Sequence, residues 1–164
     1  MSTKQRGLTL IELLVGVMIL AIVAATAVPS MKSLLGRKNI HAVGKLFDQS
    51  VRLARTEAAR RTQPVLISPS GNGNDWSEGW FIEALDPDTG KTELIRRFDS
   101  LKGNPIFTSN TFTDSNPAII LPNGQASKVG EFSLQYSDCG SSKDKISFQL
   151  MLSGLLKKTI TPCP

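Results

Sequence analysis

The sequence predicts an α+β chain: one long N-terminal helix followed by an antiparallel, mostly β domain. Three observations carry that prediction. Residues 8–28 form a predominantly apolar run, LTLIELLVGVMILAIVAATAV. Apolar positions then recur at helical spacing as Ile40, Val43, Phe47, Val51, Ala54 and Ala58. After Pro64 short apolar runs alternate with clusters of Gly, Asn, Asp, Ser and Pro, the pattern of strands joined by turns.

The first run is long enough to cross a bilayer as a helix. Lys4 and Arg6 precede it and no Lys or Arg interrupts it before Lys32, so the positive-inside rule leaves the N-terminus in the cytoplasm and sends the remainder outward. Glu12 is the exception within it. A carboxylate at membrane depth costs about 2.5–3.5 kcal/mol even on an insertion scale. Thr9 and Thr26 are the only other polar side chains between Leu8 and Val28, so any counter-charge has to come from elsewhere. From the residues alone, two readings stand: a cleaved secretory signal with an A-x-A site at Ala25-Thr26-Ala27, or a plain single-span anchor; a third comes from the resemblance given below.

The helix is expected to continue beyond the run. Lys45, Arg52, Arg55, Arg60 and Arg61 lie largely off the stripe from Ile40 to Ala58, so that stripe is the face that packs on a domain. A kink or loosening is expected near Pro29 and Gly36, and Thr62-Gln63-Pro64 ends the helix. Strands are expected at 65–68, 79–84, 94–98, 105–108, 118–121, 131–136, 145–152 and 156–161. Alternation is clearest in Phe132, Leu134, Tyr136 and in Ile146, Phe148, Leu150. Pro122-Asn123-Gly124 is a tight-turn signal.

Composition narrows the function. With 164 residues, 40% hydrophobic and 20% charged, the chain is ordinary globular material outside its apolar run. The net charge of +5 permits an acidic partner without demanding one. Cys139 and Cys163 are the only cysteines; no CxxC or Cys/His cluster points to zinc, and in an exported domain a lone pair implies one disulfide, whereas in the cytosol it would read as two core thiols. His41 is the only histidine and is expected to be a solvated helix residue. Ser68-Pro69-Ser70-Gly71 lacks the G-x-S-x-G of a nucleophile elbow. Asn72, Asn74 and Asp75 lack the acidic density of a calcium loop, and Gly71-Asn72-Gly73 is a lone turn rather than a phosphate cradle. Trp76 and Trp80 are expected to pack in the core. No enzyme, metal or cofactor is expected.

Two resemblances sharpen this reading. Lys4-Gln5-Arg6-Gly7 followed by Leu8-Thr9-Leu10-Ile11-Glu12 resembles the short basic leader, Gly cleavage site and mature start of type IV pilin-like proteins. The departure is Leu8, where that family usually has Phe. The resemblance implies that a prepilin peptidase cuts between Gly7 and Leu8 and that the new amine of Leu8 is methylated. It also implies that Glu12 meets the methylated N-terminus of a neighbouring subunit during assembly. Removal of Lys4 and Arg6 would bring the side-chain charge from +5 to +3.

Second, Leu53-Ala54-Arg55-Thr56-Glu57-Ala58 with Arg60-Arg61 and Pro64-Val65, Gly79-Trp80-Phe81-Ile82, Leu121-Pro122-Asn123-Gly124 and Ser153-Gly154 resemble the GspH/FimT family of minor pilins and pseudopilins. The implied fold is a long helix packed on two β-sheets. Residues 1–7 would be leader, 8–28 the transmembrane part of the helix, 29–62 its periplasmic part and 63–164 the β-rich domain. The expected location is the bacterial inner membrane, single-pass, with the C-terminal domain in the periplasm and incorporation in an extracellular filament. Implied partners are other major and minor pilins or pseudopilins of a type IV pilus or type II secretion system. Many members carry an earlier cysteine pair between the positions of Val65 and Trp80; Ser68 and Ser70 stand there here, which leaves Cys139 and Cys163. The FimT branch implies an alternative, binding of double-stranded DNA in natural transformation. There the basic residues follow the final Gly; here Gly154 is followed by Leu155 and Leu156, and only Lys157 and Lys158 remain as candidate phosphate contacts.

Overall fold

The structure, a computed structural model, describes residues 10–137, 139 and 144–163, and for 26–38 the backbone only. Helix α1 runs from Leu10 to Arg61. It is followed by β1 (Val65–Pro69), β2 (Trp80–Leu85), β3 (Thr92–Phe98), β4 (Pro105–Ser109), β5 (Ala118–Ile120), β6 (Gly130–Tyr136), β7 (Asp144–Leu150) and β8 (Leu156–Pro162). All eight expected strands are present, with ends shifted by one or two residues. The helical assignment is continuous through Pro29 and Gly36; the side chains there, and any kink, lie outside the described residues. The chain divides into two compact units, Met1–Leu35 and Gly36–Pro164.

The second unit contains two antiparallel four-stranded sheets. Their orders are β3-β2-β1-β5 and β4-β6-β7-β8. The first sheet uses a non-sequential neighbour: β5 returns to pair with β1 through Val65↔Ile120 and Ile67↔Ala118. The second is a meander from β6 to β8, with β4 on its far edge. Alternation dictates the faces. In β6, Phe132, Leu134 and Tyr136 point inward, and in β7 Ile146, Phe148 and Leu150 do the same. Burying one face of each strand while leaving the other to solvent is what a period of two achieves.

The six helix positions picked out by their spacing are all buried. Phe47 stands at the centre. Its ring lies edge-on to Trp80 of the first sheet at 5.4 Å, to Phe107 and Phe132 of the second at 4.9 and 4.7 Å, and to Trp76 of the intervening loop at 5.9 Å. One helix residue thus joins both sheets through offset aromatic contacts, the geometry favoured by ring quadrupoles. Three residues before it, Gly44 lets the helix approach the second sheet: a Cβ there would lie 3.1 Å from the Phe148 ring and 3.2 Å from Ile146. Trp76 is fully buried and its indole Nε1 donates to the Phe112 carbonyl at 3.2 Å. Trp80 is fully buried as well, so both tryptophans are core residues, as expected. The helix ends at Thr62, whose φ of 55° is the left-handed cap that stops propagation, two residues before Pro64.

Candidate functional site

Within the first unit, every described side chain from Leu10 to Ala25 is exposed, including Ile11 at 68% and Leu20 at 69%. Among the described residues of this unit none covers that apolar surface, and a helix exposing apolar side chains on every side is of the kind that packs against lipid or other helices. Glu12 sits in the first turn of this segment and is exposed on it. Among the described residues no helix is long and apolar enough to cross a membrane; the expected span of 8–28 extends past the described side chains at both ends. Gly7 and Leu8, the expected cleavage and methylation positions, lie outside the described residues.

In the second unit, three segments far apart in sequence meet at one point. Arg55, on the helix, donates from Nε to the Gly124 carbonyl at 3.1 Å. Gly124 closes the turn from Leu121, its N–H bonding the Leu121 carbonyl at 2.8 Å. Gly154 closes the β7–β8 hairpin in the same way onto Met151. It has φ of +72°, and a Cβ at Gly154 would overlap the Gly124 carbonyl oxygen and come within 3.1 Å of Arg55 Nε. Two turns from different strand pairs therefore stack on one guanidinium. The residues were singled out by resemblance, but their convergence was not readable in the sequence: they are 69 and 30 positions apart.

A second cluster ends the helix. Arg60 and Arg61 both donate to Glu57, at 2.6 and 2.9 Å, and Arg61 Nη1 reaches Glu93 on β3 at 2.8 Å. Hydrogen bonds from Arg60, then from Arg61, hold the Glu57 carboxyl at about 2, below its ordinary 4.5. The network ties the helix end to the edge strand of the first sheet.

Cys139 and Cys163 are joined, with Cα atoms 5.5 Å apart. The bridge fastens the end of β8 to the connection leading into β7. His41 differs from its expected solvated state: it is half-exposed, and its Nε2 lies 3.3 Å from Asp144 Oδ2 at the start of β7. The strand contact supplies a carboxylate that its helical neighbours could not foretell.

Lys157 and Lys158 fall on β8, paired with Gln149 and Phe148 respectively. Phe148 is a core residue, so Lys158 is on the inner face of the sheet and Lys157 on the outer face. The fold does not bring the two ammonium groups into one patch. Beside Gly154, the hairpin tip presents Met151, Leu152 and Leu155, all exposed. No group of His, Cys, Asp and Glu suited to a metal occurs among the described residues.

Similarity to known proteins follows the same division. Residues 2–28 match the prokaryotic N-terminal methylation motif. Residues 45–155 match the family model described as type II transport protein GspH. No curated protein sequence matches significantly. Among solved structures, the type IV minor pilin FimU of Pseudomonas aeruginosa is similar with a TM-score of 0.59 at 15% identity, over 78% of this chain and 90% of that one. The minor pseudopilin EpsH of the Vibrio cholerae type 2 secretion system gives 0.57 at 13%, over 74% and 96%. These likenesses share the fold, and because the GspH match runs from the packed half of the helix through the first seven strands to the Gly154 turn, the chain belongs to the GspH family of minor pilins and pseudopilins.

Proposed function

We propose that this GspH-family chain is a membrane-anchored structural subunit that enters a type IV pilus or type II secretion pseudopilus through its N-terminal helix. The observation that carries the reading is the apolar segment from Leu10, exposed on every side and bearing one carboxylate, behind a basic leader that matches the methylation motif. Cleavage between Gly7 and Leu8 frees an amine whose methylation preserves its charge. Residues 8–28 lie in the inner membrane and the β domain in the periplasm. Glu12, costly in lipid, is compensated when the charged N-terminus of an adjacent subunit meets it, because the low dielectric strengthens the pair and penalises either charge alone. Membrane insertion alone gains nothing from Glu12, so its presence favours an assembling subunit over a plain anchor. No catalytic step is required of the chain.

Two measurements test this. Intact-mass analysis of membrane-derived protein should show a chain starting at Leu8 and one methyl heavier; a start at Val28 or a retained Met1 overturns the processing. Glu12→Val should insert into membranes at least as well as the parent chain and be missing from the sheared filament fraction. Its appearance there at the parent level would remove Glu12 from the mechanism.

A further inference from the structure

The second sheet is left open on one side. β8 is its last strand, and all of it beyond Leu156 is exposed. The helix covers β7, where Gly44 sits against Phe148 and Ile146, and leaves a groove of about 470 Å3 between itself and β8. His41, Lys45, Asp48 and Arg52 line the helix side, and Leu156 and Lys158 the strand side. Pairing with Leu150, Phe148 and Ile146 puts Leu156, Lys158 and Ile160 on the same inner face. Ile160 is 47% exposed there, an unusual place for an apolar inner-face side chain.

The charges in the groove do not balance. Asp48 is bonded to Arg52 at 2.8 Å and Asp144 to His41 at 3.3 Å. Lys45 and Lys158 enter no ion pair among the described residues. Lys158 Nζ lies 3.9 Å from where a Gly44 Cβ would be, so its ammonium reaches across toward the bare stretch of helix. Between Glu12 and Asp48 the sequence carries no acidic residue, and Asp48, already bonded to Arg52, is the one carboxylate among the described groove-lining residues.

An open strand edge beside a helix, with a groove between, is the arrangement in which an extended peptide adds to a sheet. We propose that β8 accepts an extended segment of a partner protein patterned apolar-x-acid-x-apolar, its carboxylate set against Lys158 and Lys45 and its apolar residues against Leu156 and Ile160. The pattern reads the same in both directions, so strand polarity does not alter it. A lysine on an edge strand discourages indiscriminate pairing; here it also selects, because an apolar or basic residue opposite it is penalised where an acid is stabilised.

The test uses the full chain in detergent micelles, so its failure leaves the processing at Leu8 and the role of Glu12 untouched. A dye-labelled peptide Thr-Val-Thr-Glu-Thr-Val-Thr is titrated by fluorescence anisotropy, beside the same peptide with Lys in place of Glu. The Glu peptide should bind about tenfold more tightly, the effect of exchanging attraction for repulsion opposite two lysines. Lys158→Glu should invert the preference. Methylating the Glu peptide's backbone nitrogens should abolish binding, since strand addition uses them as donors. Equal binding of the two peptides, no binding of the Glu peptide to the parent chain, or undiminished binding of the N-methylated peptide overturns the proposal. Because the two peptides are compared on unaltered protein, the proposal stays testable even if Lys158→Glu does not fold.

Discussion

Gly154→Ala tests whether the meeting of Arg55, Gly124 and Gly154 holds the β domain together. Two costs are expected. An alanine held at φ of +72° loses about 1 kcal/mol to the steric penalty of the left-handed region. Its Cβ would also overlap the Gly124 carbonyl oxygen, which must move off the Arg55 guanidinium. That charge-assisted bond contributes about 2 kcal/mol. The sum, about 3 kcal/mol, corresponds to a fall in melting temperature of about 12 °C for a domain of this size. Gly90 provides the control: its φ is +68° and a Cβ there would meet nothing, so Gly90→Ala should cost only the backbone part, about 4 °C. Both are measured by near-ultraviolet circular dichroism on the chain in detergent, where Trp76 and Trp80 report core packing. In an Arg55→Ala background the extra cost of Gly154→Ala should shrink toward that of Gly90→Ala, because the bond is already gone. Melting of the two glycine variants within about 3 °C of each other would refute the reasoning.

Other outcomes follow from the same geometry. Phe47→Ala should cost about 4 kcal/mol, because it removes the ring that joins both sheets and leaves a cavity; denaturant unfolding monitored by tryptophan fluorescence checks it. Replacing Cys139 and Cys163 by serine should cost roughly 3 kcal/mol from the 24-residue loop they close, and thiol labelling of the denatured, unreduced parent chain should find no reactive cysteine. Glu57→Gln should lower the melting temperature by a few degrees at neutral pH. Because the folded carboxyl is depressed to about 2 from 4.5, its stabilisation is present above the unfolded value and lost as pH falls through the folded one. The gap between parent and Glu57→Gln should therefore close as pH is lowered from neutral toward about 2, and a gap that persists there would assign the effect to packing.

The sequence by itself determined which residues form the elements and which side of each is buried. Ile40, Val43, Phe47, Val51, Ala54 and Ala58 share one helix face because the helix period is 3.6, and Phe132, Leu134 and Tyr136 share one strand face because the strand period is two. Such periodicity is local and needs no knowledge of the partner. The alternation of β8 even placed Lys157 and Lys158 on opposite faces, although their adjacency had grouped them as one candidate site. Only the tertiary structure decided which turn meets which. β5 beside β1, His41 beside Asp144, and Gly154 beneath Gly124 and Arg55 all join segments separated by dozens of residues. Those meetings depend on how helix and sheets fill a shared volume: Gly44 lets the helix settle on Phe148 and Ile146, that approach brings Arg55 over the two turns, and it leaves β8 uncovered. Sequence spacing encodes the faces; the distance at which the faces pack is set by side-chain volume at the contact, and that is a property of the assembled core.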